Sequence, residues 1–254
     1  MTAPIPFRPG LWLTELQLDQ FDVRGAIIIG AERSIVWDTL SHPRDMAAVP
    51  PLVSGHWHAV VYSHADWDHC WGTAGLPERQ IVIGHSNCRL RFETDVPKVL
   101  REKQNAQPNA WNEVELIPPT HMVQKYLSLD LGGFTLELHH LPGHTLDCLV
   151  GFIPEWGILL AGDTMETPLP VVNEESPMEE WIAGLQRWAE DARVQTVVPS
   201  HGAIGGREII RHNIDYLQSL LFGATKASPD LPAFYKEVHQ DNLRYISSGI
   251  SKTR

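Results

Sequence analysis

The sequence contains few cysteines, and no two of them stand at metal-binding spacing. Its 254 residues include three, Cys70, Cys88 and Cys148. An odd number without a C-x-x-C spacing argues against both a disulfide framework and a thiolate zinc site. A chain of this length can bury a core of its own. We therefore expect a protein of a reducing compartment, the cytoplasm.

Long apolar runs are absent as well. The N-terminus, MTAPIPFRPG, lacks the apolar stretch of a signal peptide. The most apolar region, residues 146–161, is interrupted by Asp147, Pro154 and Glu155. It is also shorter than the roughly 20 apolar residues that cross a bilayer. The sequence predicts a soluble protein without membrane contact.

Positive charge is scarce. Twenty Lys and Arg stand against 31 Asp and Glu, a formal net charge of −11. Nucleic acids and anionic membranes favour basic surfaces, so neither is an expected partner. No run of Lys or Arg lies near the candidate ligands described below, which argues against polyanionic substrates too. The expected partner is a small molecule.

Short β-like runs alternate with helix-like stretches along the chain. Apolar and β-branched runs between turn formers predict strands at 11–16, 25–29, 34–38, 59–63, 81–84, 134–141, 148–153, 157–162 and 196–199. Apolar residues at helical spacing predict helices at 87–104, 178–192, 207–221 and 231–246. Residues 108–119 are predicted to form a loop. Alternation of this kind predicts a layered α/β fold.

Residues that can bind metal follow four of the predicted strands. The run after AVVYS reads HADWDH, and later strands end in PGHT, AGDT and PSHG. Imidazole and carboxylate groups both bind zinc, iron and manganese. Any one of these residues alone could be a hydrogen-bonded histidine or a capping aspartate, but their succession favours a metal site. The candidates are His64, Asp66, Asp68, His69, His144, Asp163 and His201.

With these residues in this order, the sequence resembles the metallo-β-lactamase superfamily. The superfamily pattern is H-x-H-x-D-H, then a distant His, an Asp in a G-D-T context and a His in a P-x-H-G context. The resemblance runs from the strands at 11–38 to the helix after His201. It implies an α/β fold, a four-layer αβ/βα sandwich of two mixed sheets flanked by helices. It also implies a single domain over residues 1–254, with a helical tail at about 229–254.

The resemblance further implies two adjacent divalent metal ions, zinc first, with iron or manganese as alternatives. His64, Asp66 and His144 would hold metal 1, and Asp68, His69 and His201 metal 2, with Asp163 bridging both. A hydroxide between the metals would attack a carbonyl or phosphorus centre, with Asp68 orienting it. The implied reaction is hydrolysis of a small ester, lactone, thioester, amide or phosphoester. Asp38 corresponds to a position behind the ligands.

Asp66 departs from the superfamily pattern, since most members have His there. Three carboxylates and a hydroxide neutralise two divalent ions, whereas two carboxylates leave one positive charge. The departure predicts a poorer Lewis acid that leans toward iron or manganese. Asp is also shorter than His, so we expect it to reach metal 1 only through a water molecule. Metal 1 is then expected to be weakly bound or absent. Two alternatives stay open: a diiron protein of oxygen or nitric oxide chemistry with a separate electron donor, and a non-catalytic metal-binding module.

Substrate contacts are less well marked in the sequence. Trp67, His85 and His121 are weak candidates because they stand near predicted strand ends. Residues 165–177 are rich in proline, so they are predicted to form a loop over the metals rather than a helix. The helix at 207–221 and the tail could support a homodimer, although nothing in the sequence requires one.

Overall fold

A computed structural model describes residues 3–55, 57–76, 81–223 and 230–252, the last five as backbone only. Within these ranges the strands are β1 (Ile5–Arg8), β2 (Leu11–Gln17), β3 (Asp22–Ile29), β4 (Arg33–Trp37), β5 (Trp57–Val61), β6 (Ile81–His85), β7 (His121–Val123), β8 (Tyr126–Asp130), β9 (Thr135–His140), β10 (Leu149–Ile153), β11 (Ile158–Gly162) and β12 (Thr196–Pro199). The α-helices are α1 (Pro50–Val53), α2 (Trp67–Cys70), α3 (Ser86–Arg91), α4 (Val96–Ala106), α5 (Met178–Glu190), α6 (Arg207–Leu221) and α7 (Ala233–Lys252).

The strands form two sheets, and both are mixed. The first has seven strands in the order β1 to β7. Its pairs are antiparallel as far as β4 and parallel from β4 to β7. The second has the order β12-β11-β10-β9-β8, in which only the β11–β12 pair is parallel. Two mixed sheets are the predicted architecture.

Alternation along the strands divides the interior into three apolar clusters. In β4, Ile35 and Trp37 join the cluster between the two sheets, whereas Val36 joins the cluster under α3 and α4. In β11, Leu160 faces the first sheet and Leu159 faces α5 and α6. Three clusters imply four layers, because successive side chains of a strand point to opposite faces. The predicted αβ/βα sandwich is confirmed.

The prediction of one continuous helix over residues 87–104 is wrong. Two helices, α3 and α4, occupy that stretch, separated by turns at residues 92–95. Pro97 stands in the first turn of α4. Proline lacks the amide hydrogen that an unbroken helix would need there, and its ring would clash with the carbonyl four residues earlier. The break leaves Arg91 as the last residue of α3.

Three strands were missed because they bury little apolar surface. All four residues of β1 are exposed, and β8 has no fully buried residue. β7 has three residues and one buried side chain. All three strands lie at the edges of their sheets. An edge strand is specified by its paired neighbour as well as by its own hydrophobic pattern, so its local signal is weak.

The topology directs several strand ends to one edge of the sandwich. β4, β5 and β6 run parallel, as do β11 and β12. β9 is antiparallel to β10, which is antiparallel to β11, so β9 and β11 share a direction. The carboxyl ends of strands with a common direction meet at a common edge. The candidate ligands follow β5, β9, β11 and β12, so the fold itself brings them together.

The predicted tail helix is α7, which begins and ends later than expected. Its side chains Tyr235 and Val238 pack with Leu169 in a separate apolar cluster. Residue 229 and the last two residues of the predicted tail lie outside the described part of the chain. None of the described helices combines the length and the apolarity needed to cross a membrane.

Candidate metal centre

Asp163 lies at the centre of four imidazole rings. Its carboxylate oxygens are 3.3 Å from His69 Nε2, 3.2 Å from His201 Nε2 and 3.6 Å from His64 Nε2. His144 Nε2 lies 3.9 Å away. Each of these five side chains is at most 7 % exposed. Asp163 is thus the carboxylate that lies close to all four imidazoles.

Asp66 and Asp68 complete two neighbouring groups of three. Asp66 Oδ2 lies 3.2 Å from His144 Nε2 and 3.5 Å from His64 Nε2. The Asp68 oxygens lie 3.7 Å from His201 Nε2 and 3.8 Å from His69 Nε2. The structure thus places His64, Asp66 and His144 in one group and Asp68, His69 and His201 in another, the same division that the sequence predicts.

The donor atoms fit metal ions in both spacing and chemistry. Ligand atoms about 2.0–2.1 Å from a tetrahedral zinc lie about 3.4 Å from one another. The separations above bracket that value. Among the described residues, His64 Nε2, His69 Nε2 and Asp163 Oδ1 are buried without a hydrogen-bond partner. A buried polar atom without a partner is costly, and a cation held between these atoms would remove that cost.

The outward nitrogen of each imidazole is held by a hydrogen bond that fixes the ring. His144 Nδ1 lies 3.0 Å from the carbonyl oxygen of Val171. His201 Nδ1 lies 2.5 Å from the carbonyl oxygen of Asp22. Both carbonyls can only accept, so Nδ1 carries a hydrogen and Nε2 is the nitrogen left to bind a metal ion once it gives up its proton. Partners of this kind orient metal-binding histidines and raise their basicity.

Asp38 orients the other two imidazoles, His69 directly and His64 through Ser63, in agreement with its expected position behind the ligands. Its Oδ2 lies 3.0 Å from His69 Nδ1 and accepts a 2.7 Å bond from Ser63 Oγ. Because that hydroxyl hydrogen is committed, Ser63 Oγ accepts from His64 Nδ1 at 3.0 Å. Asp38 has a left-handed φ of 55°. Such strain in a residue other than glycine persists where its surroundings hold it, often at functional sites.

Arg91 neutralises Asp66, a contact that nothing in the sequence indicated. Its Nη2 lies 2.6 Å from Asp66 Oδ1, the oxygen that faces away from the imidazoles. Its Nη1 lies 3.1 Å from Asp147 Oδ1, and its Nε lies 3.0 Å from Asp95 Oδ2. The other oxygen of Asp147 accepts from the amide of Ala65 at 2.8 Å. Asp66 therefore directs one oxygen toward His64 and His144 and has the other fixed by a cation.

Electrostatics of the cluster follow from this packing. Burial alone would raise the pKa of the Asp66 carboxyl, but the Arg91 charge holds it well below its usual range. Burial alone would lower the imidazole pKa values, but the hydrogen bond with Asp66 raises the pKa of His144 to about 9. The charge of Asp163 raises the pKa of His201 to about 10. Metal loading must release these protons, so loading weakens as the pH falls.

A cavity of about 140 Å³ opens beside the ligands. Its walls are largely aromatic, and Phe21, Trp67, Phe234 and Tyr235 contribute to them. Glu166, only 1 % exposed, also lines the cavity. Burial and the charge of Asp163 raise the pKa of Glu166 to about 7.

The loop predicted over residues 165–177 does lack a helix, and it contributes Glu166 and Val171 to this cavity.

Of the three weak substrate-contact candidates, Trp67 lines the cavity. His85 is buried and caps α3, accepting from the amide of Asn87 at 3.1 Å. Its ring stacks on His140 with centroids 3.8 Å apart. His121 is exposed on β7. The described cavity walls include neither of these histidines. His85 is the last residue of β6, and His121 is the first residue of β7, the edge strand of the first sheet.

Helix α7 holds the segment that orients His144. Asn242, fully buried, accepts from the amide of Val172 at 2.9 Å and donates to the carbonyl of Pro170 at 2.9 Å. Between these two residues, the carbonyl of Val171 holds His144 Nδ1. The C-terminal helix therefore supports the metal centre as well as lining its cavity.

Asn242→Ala is expected to lower the free energy of unfolding by about 2–4 kcal/mol, because two buried backbone groups lose their partners. Chemical denaturation of the metal-free protein measures the change. Gln240→Ala, an exposed position on the same helix, is the matched control and should have little effect. Equal stability of the two variants would show that Asn242 does not hold the segment.

Comparison with known proteins agrees with this geometry. The model of the metallo-beta-lactamase superfamily matches residues 23–201. A metallo-beta-lactamase type 2 of Bacteroides fragilis is 25 % identical over 186 residues, covering 71 % of this chain and 64 % of the relative. That of Bacillus cereus is 28 % identical over 169 residues, covering 63 % and 57 %. The chain thus matches about three fifths of the length of these relatives.

Solved structures show the same fold at lower identity. A metallo-beta-lactamase from Pontibacter korlensis aligns with a TM-score of 0.65 and 18 % identity, covering 85 % of this chain and 98 % of its own. A metallo-beta-lactamase family protein from Thermus thermophilus aligns with a TM-score of 0.67 and 16 % identity, covering 86 % and 82 %. The superfamily match spans most of the chain, from β3 to the last candidate ligand. This protein therefore belongs to the metallo-beta-lactamase superfamily.

Proposed function

We propose that this protein is a cytoplasmic hydrolase with two metal ions, zinc first, that cleaves a small ester, lactone, thioester, amide or phosphoester. The observation that carries the proposal is the convergence of four imidazole Nε2 atoms on Asp163. His64, Asp66 and His144 would hold metal 1, and Asp68, His69 and His201 metal 2, with Asp163 bridging. Two bound cations would lower the pKa of a water toward neutrality and polarise the substrate oxygen.

The protein's own residues would position the reactants. Asp68 lines the cavity and presents its carboxylate beside His201. There it can accept a hydrogen bond from the attacking water and take up its proton. The aromatic walls exclude bulk water and hold the substrate against the ligands. Arg91 keeps one Asp66 oxygen occupied, so that Asp66 can offer metal 1 a single oxygen with its charge largely offset.

Metal content tests the proposal directly. Protein purified without chelators or affinity metals is analysed by mass spectrometry and then assayed against ester, lactone and phosphodiester panels. We expect two zinc ions per chain and turnover that falls on the order of 10²–10⁴-fold in Asp68→Asn, the range expected for loss of a positioned base. Turnover that survives this change, or that needs no metal, would refute the assignment.

One observation favours a second candidate. The Asp66 oxygen stands at ligand spacing, and hard oxygen ligands suit iron and manganese. A diiron protein of oxygen or nitric oxide chemistry would need a separate electron donor. It would show two iron ions and a visible or paramagnetic signal that changes with either gas. A single ion without turnover on any panel would instead identify a metal-binding module.

A further inference from the structure

A large groove on the protein surface adjoins the metal cavity. Its volume is about 660 Å³, within the range of small-molecule sites. The walls come from the β2–β3 turn, the segment around Ser41 to Asp45, and α4 with the residues that follow it. Phe21 and Trp67 line both the groove and the metal cavity. The groove therefore borders the metal cavity at these two side chains.

Lys103 stands at the junction of the groove and the cavity. Its Nζ lies 3.6 Å from the ring centroid of Trp67 and 5.1 Å from that of Trp111. The two indole rings are perpendicular, with centroids 5.6 Å apart. Contact with aromatic faces attracts an ammonium group and fixes its place. The lysine is thus held beside Trp67, the residue that separates it from Asp68.

The ammonium group of Lys103 has no anionic partner in the part of the chain that the structure describes. Among the residues that the structure describes, no carboxylate lies within ion-pair distance of Nζ and no acceptor bonds to it. Partial burial lowers the pKa of Lys103, although the charge of Asp68 acts in the opposite direction. Three other charged side chains, Asp19, Arg44 and Asp45, also line the groove, and Asp45 accepts from Ser41 Oγ at 2.9 Å. A half-buried cation with unused donors is a place for an anionic ligand.

We propose that Lys103 binds a carboxylate of the substrate, so that the enzyme acts on esters, lactones or amides that carry one negative charge beyond the scissile bond. The inference rests on the proposed hydrolase function. A single lysine on a protein of net charge −11 suits a singly charged group better than a phosphate dianion, which argues for a carboxylate. The overall negative charge and the absence of basic runs still exclude polyanions.

Two para-nitrophenyl esters that differ only at the far end of the acyl chain provide the test. The glutarate monoester ends in a carboxylate and the pentanoate ester ends in a methyl group. With metal-loaded enzyme, Lys103→Met should lower kcat/KM for the glutarate ester by about ten- to a hundredfold, the range for loss of a charge-assisted hydrogen bond. The pentanoate ester should be unaffected, and Lys103→Arg should retain part of the preference.

Lys98→Met is the matched control, because Lys98 is exposed on the same helix. It should change neither ester. A Lys103→Met variant that loses both esters equally, or neither, would overturn the proposal. The preference should also shrink at high salt, since exposed charge pairs are screened.

Binding separates this inference from the proposed function. Glutarate and pentanoate are titrated calorimetrically against metal-loaded protein. We expect glutarate to bind about tenfold more tightly than pentanoate, and Lys103→Met to abolish the difference. If neither ester is hydrolysed but this difference is observed, the hydrolase assignment fails and the anion site stands. Equal binding of the two acids, or tighter binding of inorganic phosphate than of glutarate, would overturn the carboxylate assignment.

Discussion

Asp163→Asn is expected to remove both metal ions from the protein and with them all hydrolysis. The Asp163 carboxylate lies within 3.9 Å of the Nε2 atoms of all four histidines, so both ions would share it. An amide offers one neutral oxygen in place of two charged ones. The loss of metal affinity should exceed the roughly 10–100-fold that follows removal of a residue behind the ligands. Metal content after dialysis measures it, and His69→Ala should give a similar loss.

Asp38→Asn provides the graded comparison. It leaves every proposed ligand in place but removes the negative charge behind His69. Metal affinity should fall by about 10–100-fold, less than in Asp163→Asn. Asp191→Asn, an ion-pair residue remote from the centre, should change nothing. If Asp163→Asn retained both ions through dialysis, the bridging role would be excluded.

Asp66→His is expected to lower the affinity for the ion at the proposed metal 1 position, even though histidine is the usual residue of the superfamily. The substitution removes a negative charge that Arg91 now offsets, and it leaves the guanidinium facing a metal-bound imidazole. Repulsion between Arg91 and the ion lowers the affinity, while the softer nitrogen ligand shifts the remaining preference toward zinc. Adding Arg91→Gln should restore affinity to the Asp66→His variant.

A double-mutant cycle of these two positions measures the coupling. Contacting residues couple by about 0.5–3 kcal/mol, or about two- to 150-fold in metal affinity. Calorimetric titration of zinc gives the four affinities. Arg91→Gln should also destabilise the metal-free protein, because Asp147 is fully buried and its contact with Arg91 is lost. Asp95→Asn, which also contacts Arg91 but lies outside the centre, is the control. A double variant that binds no better than Asp66→His would contradict the coupling.

Arg91 also corrects the charge argument made from the sequence. Asp66, Asp68, Asp163 and a hydroxide neutralise two divalent ions, which predicts a weak Lewis acid. The guanidinium beside Asp66 also contacts Asp95 and the buried Asp147, so it returns to the centre only part of one positive charge. It does not compensate Glu166, a fourth buried carboxyl beside the ligands that the sequence left unmarked. The net charge of the loaded centre therefore depends on the protonation of Glu166 as well as on Arg91.

The candidate ligands could be found in the sequence because four of them directly follow an apolar strand and a small or turn-forming residue, and the other three lie within five residues of His64. That signal is local, and the parallel strand ends then bring the residues together. Arg91 could not be found in the same way. It stands in a helical stretch as an ordinary cation, and its contacts with Asp66 and Asp147 span 25 and 56 positions of the chain.

Most residues that line the cavity could not be identified from the sequence for the same reason. Phe21 and Tyr235 come from a turn and from the last helix, and Lys103 reaches Trp67 only because the helix breaks before Pro97. Their roles depend on tertiary packing between segments far apart in sequence. No spacing rule within a segment records such contacts, so composition and motif alone reach the candidate ligands and, of the cavity walls, Trp67 and the loop at 165–177.

The strand ends that form the centre are completed at different times as the chain is made. His64 to His69 follow β5 of the first sheet, whereas Asp163 and His201 follow β11 and β12 of the second. Helix α7 comes later still in the chain. Because a chain is synthesised from its N-terminus, the side chains of His64 to His69 are exposed to water before Asp163 and His201 have been made. An ion that needs both sheets binds only the finished fold and stabilises it by mass action. Metal uptake in the cell would therefore mark the joining of the two halves of the protein.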